Sequence, residues 1–129
     1  MARGKSATPL AKVRGLGSAG EGGDHWLMER FTSVALVLLS AWLVFSLLTL
    51  PALDKNTVSE WLSQPLGAVP MALFVIVSFV HGLDGMKVVV DDYVHVEGNR
   101  VAAHFIMTMI AIAGAAFALF ALAKLAFGA

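Results

Sequence analysis

Residues 62–83 read LSQPLGAVPMALFVIVSFVHGL, a run without a single Asp, Glu, Lys or Arg. A helix rises about 1.5 Å per residue, so such a run covers the roughly 30 Å hydrocarbon core of a bilayer. A further apolar turn follows at Val88–Val90. Two more runs have the same character: FTSVALVLLSAWLVFSLLTL at 31–50 and VAAHFIMTMIAIAGAAFALFALA at 101–123. Lipid offers no partner to an unpaired backbone N–H or C=O, so each run is expected to be a helix. The fold class that follows is an all-α membrane protein of three transmembrane helices. They are expected at about 28–50, 66–92 and 100–126, in a domain covering 25–129 behind an N-terminal tail at 1–24.

Composition points the same way. The 129-residue chain is 58% hydrophobic and 14% charged, against roughly 45–50% and about 25% in soluble domains. Its formal net charge is zero, which gives a nucleic-acid partner no electrostatic support. It has no cysteine, so disulfides, thiolate metal sites and cysteine-held iron–sulfur clusters cannot belong to this chain. The connections carry the polar residues: Pro51, Asp54, Lys55 and Asn56 after the first run, and Asp91, Asp92, Glu97, Asn99 and Arg100 between the second and third. Gln64, Pro65, Gly67 and Pro70 open the second run. The first thirty residues lack the long apolar stretch of a signal peptide. They read as a cytoplasmic tail, with a basic transit peptide as the alternative.

Orientation follows from the basic side chains. Arg3, Lys5, Lys12, Arg14 and Arg30 precede the first run, and Lys87 and Arg100 flank the second connection, while Lys55 and Lys124 fall on the opposite side. This asymmetry places the N-terminus and the second connection in the cytoplasm.

Ionisable side chains inside a span are costly and therefore candidates for function. His81 is the deepest, near the middle of the second helix counted from Pro70 to Tyr93. A neutral imidazole there can ligate haem iron or hydrogen-bond a neighbouring helix. Gly85, one turn on, either leaves room for a flat porphyrin or allows close helix packing. Asp84 and Lys87 are spaced to pair. Asp92 returns to nearly the face of His81, about 16 Å along the axis. Tyr93 beside it lies at the membrane boundary, as an interfacial anchor or as a phenol donor to a quinone carbonyl with a carboxylate nearby. Arg30 can hold a carboxylate such as a haem propionate or serve as an ordinary basic anchor. Trp26 reads as a belt residue, His95 as a loop residue, and His104 as a packing or interfacial hydrogen-bonding group.

Residues 81–93, HGLDGMKVVVDDY, set a histidine, a glycine four later and Asp-Tyr from the eleventh position on. This run resembles the second helix of the succinate dehydrogenase hydrophobic membrane-anchor family, the D subunit. The stretch GLGSAG at 15–20, with His25-Trp26 and Arg30-Phe31-Thr32, looks like that family's approach to its first helix, in its alphaproteobacterial form. The likeness spans roughly residues 14–125. It implies a membrane-anchor subunit of succinate:ubiquinone oxidoreductase, respiratory complex II, in a bacterial inner membrane. His81 would be one axial ligand of a single haem b, packed beside Gly85, with Arg30 near the propionates. The second ligand would come from the cytochrome b membrane subunit, C. Tyr93 and Asp92 would bind ubiquinone. An iron–sulfur subunit, B, and a flavoprotein subunit, A, would dock on the cytoplasmic face, so the isolated chain would not oxidise succinate. Asp84 departs from the family pattern, where that position is often apolar, and Asp91 doubles the acid before Asp92. The reading in a different class is a non-enzymatic assembly or transport subunit in which His81, Asp84 and Lys87 form one buried polar network.

Overall fold

The computed structural model describes residues 8–13 and 22–128. The glycine-rich stretch 15–20 and the basic residues Arg3, Lys5 and Arg14 lie outside the described residues, as do the side chains of Lys12 and His25. Two units divide the chain, Met1–Phe31 and Thr32–Ala129. The first holds α1 (Pro9–Val13) and the opening turns of α2 (Gly22–Thr49). The second holds the rest of α2, then α3 (Lys55–Ser63), α4 (Pro65–Tyr93) and α5 (Glu97–Phe127). No strand occurs among the described residues. Three helices are long and apolar enough to cross a membrane: Trp26–Thr49, Pro65–Tyr93 and Glu97–Phe127.

Two helices begin earlier than the hydrophobic runs suggest. The first starts at Gly22 rather than 28, inside the expected tail, and the third at Glu97 rather than 100. Asp24 and Glu97 sit in the respective first turns, where a carboxylate favours the positive end of the helix dipole. Apolar composition marks the part of a helix that lies in lipid, whereas the helix itself continues into water for as long as its capping chemistry allows.

The connection at 51–64, expected as an irregular break, contains the short helix α3. Asp54 is its N-cap: Oδ1 accepts from the backbone N–H groups of Asn56 and Thr57 at 2.9 and 3.1 Å, and Oδ2 from the Thr57 hydroxyl at 2.9 Å. The Thr57 backbone N–H and hydroxyl stabilise the carboxylate and hold Asp54 below the usual aspartate range. The cap is therefore strongest above that range and weakens as pH falls through the lowered value. Val58, Trp61 and Leu62 fall on one face of α3, and Trp61 stacks on Trp42 of α2, ring centroids 5.6 Å apart at 29°.

A tight corner joins α3 to α4. The Gln64 carbonyl accepts from Gly67 and Ala68 at 3.0 and 2.8 Å, and Pro65 occupies the first turn of α4, where its missing N–H costs nothing. A Cβ at Gly67 would run into the Trp61 carbonyl oxygen, so only glycine fits. α4 then packs along α5, and α3 abuts both. Their contact is close at Gly114, where a Cβ would stand 2.8 Å from the Phe79 ring. Small residues that admit a neighbour's bulk are the usual device for packing helices in lipid.

Gly67→Ala is expected to destabilise the protein by about 1–3 kcal/mol through this clash. Detergent-titrated unfolding followed by tryptophan fluorescence checks it, and an unchanged midpoint would mean that the α3–α4 corner yields without cost.

Candidate functional site

A buried hydroxyl needs a hydrogen-bond partner, and Thr32 on α2 is only 6% exposed. It finds one in His81 of α4, with Oγ1 and Nδ1 3.0 Å apart. His81 is half-buried. With the proton on Nδ1, the imidazole donates to Thr32 and presents a bare lone pair at Nε2; in the other tautomer the hydroxyl donates. Among the described residues Nε2 has no hydrogen-bond partner of its own. The ring is thus held through one nitrogen and available through the other.

Space lies beside it. A Cβ built on Gly85, or on Gly82, meets nothing within 4 Å. Neither glycine is therefore explained by helix packing within this chain. Gly82 lines an apolar groove of ≈ 320 Å³ between α4 and α5, bordered by Ser78, Met86 and Met107.

α4 is continuous from His81 to Tyr93, so the spacing read in the sequence is realised on one rigid element. Asp92 is exposed on nearly the face of His81, and Tyr93, the last residue of α4, is 79% exposed. Asp84 and Lys87 pair at 3.6 Å, as their spacing suggests. His81 and this ion pair are satisfied separately rather than as one network. In the first unit, the Arg30 guanidinium lies 5.5 Å from the centre of the Trp26 ring, a cation–π contact.

Sequence reasoning missed two features. One is the role of Thr32, which the sequence showed only as part of the Arg30-Phe31-Thr32 stretch. The other is a cluster at the corner between α4 and α5, where Asp91 Oδ1 lies 3.1 Å from His104 Nε2 and 3.8 Å from Arg100 Nε. His104 Nε2 is buried, and its contact with Asp91 is short but off the line of an N–H hydrogen bond. A signal existed for this cluster. Asp91 and Asp92 close a helix whose last turn has no basic residue, at the dipole end that disfavours carboxylates, so a basic side chain from the following helix was called for.

The arrangement is that of a helical integral-membrane protein with one deep, half-buried histidine and, at the end of the same helix, an exposed carboxylate and an exposed phenol. Residues 4–122 match the succinate dehydrogenase/fumarate reductase transmembrane subunit family, to which the chain belongs. It is 34% identical over 122 residues to the succinate dehydrogenase hydrophobic membrane anchor subunit of Paracoccus denitrificans, covering 95% of this chain and 94% of that one. The same subunit of Rickettsia bellii is 38% identical over 85 residues, 66% of this chain and 68% of its relative. The succinate dehydrogenase membrane anchor subunit of Reclinomonas americana is 28% identical over 94 residues, 70% and 78% of the two chains. The chain is thus a membrane-anchor subunit of succinate dehydrogenase, a multi-pass protein of the bacterial inner membrane.

Thr32→Val keeps the shape of the side chain but leaves His81 Nδ1 unpartnered. The expected loss is about 1–3 kcal/mol of stability, read by detergent-titrated unfolding. It should be accompanied by a changed ¹⁵N shift of the His81 ring, and an unaltered ring signal would show that the contact is not made.

Proposed function

We propose that this chain forms one side of a haem b site and part of a ubiquinone site in succinate:ubiquinone oxidoreductase, respiratory complex II. The observation that carries the reading is His81, which is oriented through Nδ1 by Thr32 while its Nε2 is unpartnered beside the open space at Gly85. A metal-ligating histidine characteristically has its second nitrogen engaged in this way, which fixes the ring's orientation. A single histidine suits a haem, because a porphyrin brings most of the iron's ligands itself and this chain would need to supply only one.

Bound haem supplies a one-electron carrier. This chain's contribution would be placement: His81 would ligate the haem iron, Gly85 would leave room for the ring, and Arg30 is assigned to the propionates on family likeness. A second histidine ligand would come from the cytochrome b membrane subunit, C. The iron–sulfur subunit, B, and the flavoprotein subunit, A, dock at the cytoplasmic face, the side given by the basic residues. Succinate oxidation belongs to those subunits, not to this chain.

Ubiquinone takes two electrons and two protons to become the quinol. The Tyr93 hydroxyl donates a hydrogen bond to one quinone carbonyl oxygen, where negative charge builds as electrons arrive. The Asp92 carboxylate beside it orients the phenol or passes a proton inward. The exposure of both at the end of α4 supports this reading. A transport or assembly role resting on one polar network of His81, Asp84 and Lys87 has less support, because His81 pairs with Thr32 while the two charges pair with each other.

His81→Ala is expected to abolish or strongly weaken the low-spin haem b band in a reduced-minus-oxidised spectrum of the purified complex; a normal band would defeat the ligand assignment. Tyr93→Phe is expected to leave assembly and haem intact and to lower succinate:ubiquinone reductase activity on the order of 10²-fold. Undiminished quinone turnover would remove Tyr93 from the site.

A further inference from the structure

Asp91 precedes the Asp92–Tyr93 pair, yet it faces a different neighbour. In a helix successive residues turn by about 100°, so the side chains of 91, 92 and 93 leave the axis in three directions. Asp91 turns to α5, where Arg100 and His104 stand one turn apart on the same face. Asp92 has no ion-pair partner among the described residues. Only three residues separate α4 from α5, and both ends of that link are closed by backbone bonds, Val94 N–H to Val90 O at 2.8 Å and Arg100 N–H to Val96 O at 3.0 Å. A short link of this kind keeps the two helix ends close, and side-chain contacts between α4 and α5 decide how the end of α4 is seated.

The charges supply the grip. The nearest cation on α4 itself, Lys87, is taken by Asp84. The polar groups that meet Asp91 are therefore those of α5. His104 Nε2 is buried and lacks an aligned hydrogen bond, which leaves Asp91, 3.1 Å away, as its polar neighbour.

We propose that Asp91, clasped by Arg100 and His104, is a positioning residue for the quinone site: it ties the end of α4 to α5 and so sets where Tyr93 and Asp92 stand. The two acids divide their work, with Asp91 gripping the neighbouring helix and Asp92 left free for the substrate. This inference rests on the quinone reading of Tyr93 given above.

The test uses the whole complex in native membranes, with succinate as donor and a short-chain ubiquinone as acceptor. An artificial dye that takes electrons from the hydrophilic subunits serves as the second acceptor. Asp91→Asn and His104→Gln are each expected to raise the KM for the short-chain ubiquinone about fivefold, the size of effect that modest charged contacts produce. The haem spectrum and the dye-linked rate stay at the parent level. Asp91→Glu, which keeps the charge, restores most of the affinity, whereas a merely structural lesion would lower both rates together and would not be rescued by charge. If Asp91→Asn fails to assemble, His104→Gln carries the test, because it leaves Asp91 paired with Arg100. A parent-level KM in the assembled variants, with Tyr93→Phe impaired in the same assay, overturns the clamp and spares the quinone reading. A normal Tyr93→Phe overturns both.

Discussion

Hydrocarbon leaves a backbone amide no partner but another backbone group, and each failure costs several kcal/mol. The rest of this structure follows from that constraint. Three segments close their hydrogen bonds internally as long helices, and among the residues described from Gly22 onward the irregular chain is confined to short corners between helices. Those corners are themselves saturated: Asp54 takes up the free N–H groups that open α3, and Gln64 those that open α4. Pro70 removes one backbone hydrogen bond inside α4, and the helix nonetheless runs on to Tyr93.

Once the backbone is satisfied, side-chain polarity becomes the scarce and informative feature. Most ionisable groups on the second span have a specific neighbour: Thr32 for His81, Lys87 for Asp84, and Arg100 and His104 of α5 for Asp91. Asp92 and Tyr93 stand apart from these pairs at the exposed end of the helix. A polar residue already paired contributes mainly structure, whereas one left with unused bonding capacity contributes chemistry. By that criterion His81 Nε2, Asp92 and Tyr93 are the groups of this span with something left to bind.

The spans were legible because lipid imposes a composition on every residue of a long run, so twenty apolar positions in a row leave little room for error. Asp84 with Lys87, and His81 with Gly85 and Asp92-Tyr93, were legible because helical spacing alone decides which face they share. α3 was not read, although Asp54 as a cap and the Val58, Trp61 and Leu62 face announce it, because Pro51 and the charged cluster after it look like an interruption. Thr32 and His104 were not understood because their roles are set by contacts 49 and 13 positions away in the chain, and local pattern says nothing about which helix will lie opposite. The helix starts at Gly22 and Glu97 were missed for a related reason: hydrophobicity reports the solvent around a helix and not its end.

The exposure of the candidate site also says why a chain of this size works only in company. Leu122 and Thr32 are the buried side chains among the hydrophobic and polar residues described, at 8% and 6% exposure. Apolar side chains facing outward are at home in lipid, where contact with a tail is as good as contact with a leucine. An imidazole is not. A half-buried His81 with an unused Nε2 at the middle of a span would face hydrocarbon, a cost that transmembrane sequences rarely bear without a partner. The open volume beside Gly85 would have to be filled by lipid tails next to that nitrogen. A ligand that bonds to Nε2 and is enclosed on its far side by further helices removes both penalties together. The same geometry that makes His81 expensive in the isolated chain would therefore favour assembly with partner subunits of the complex.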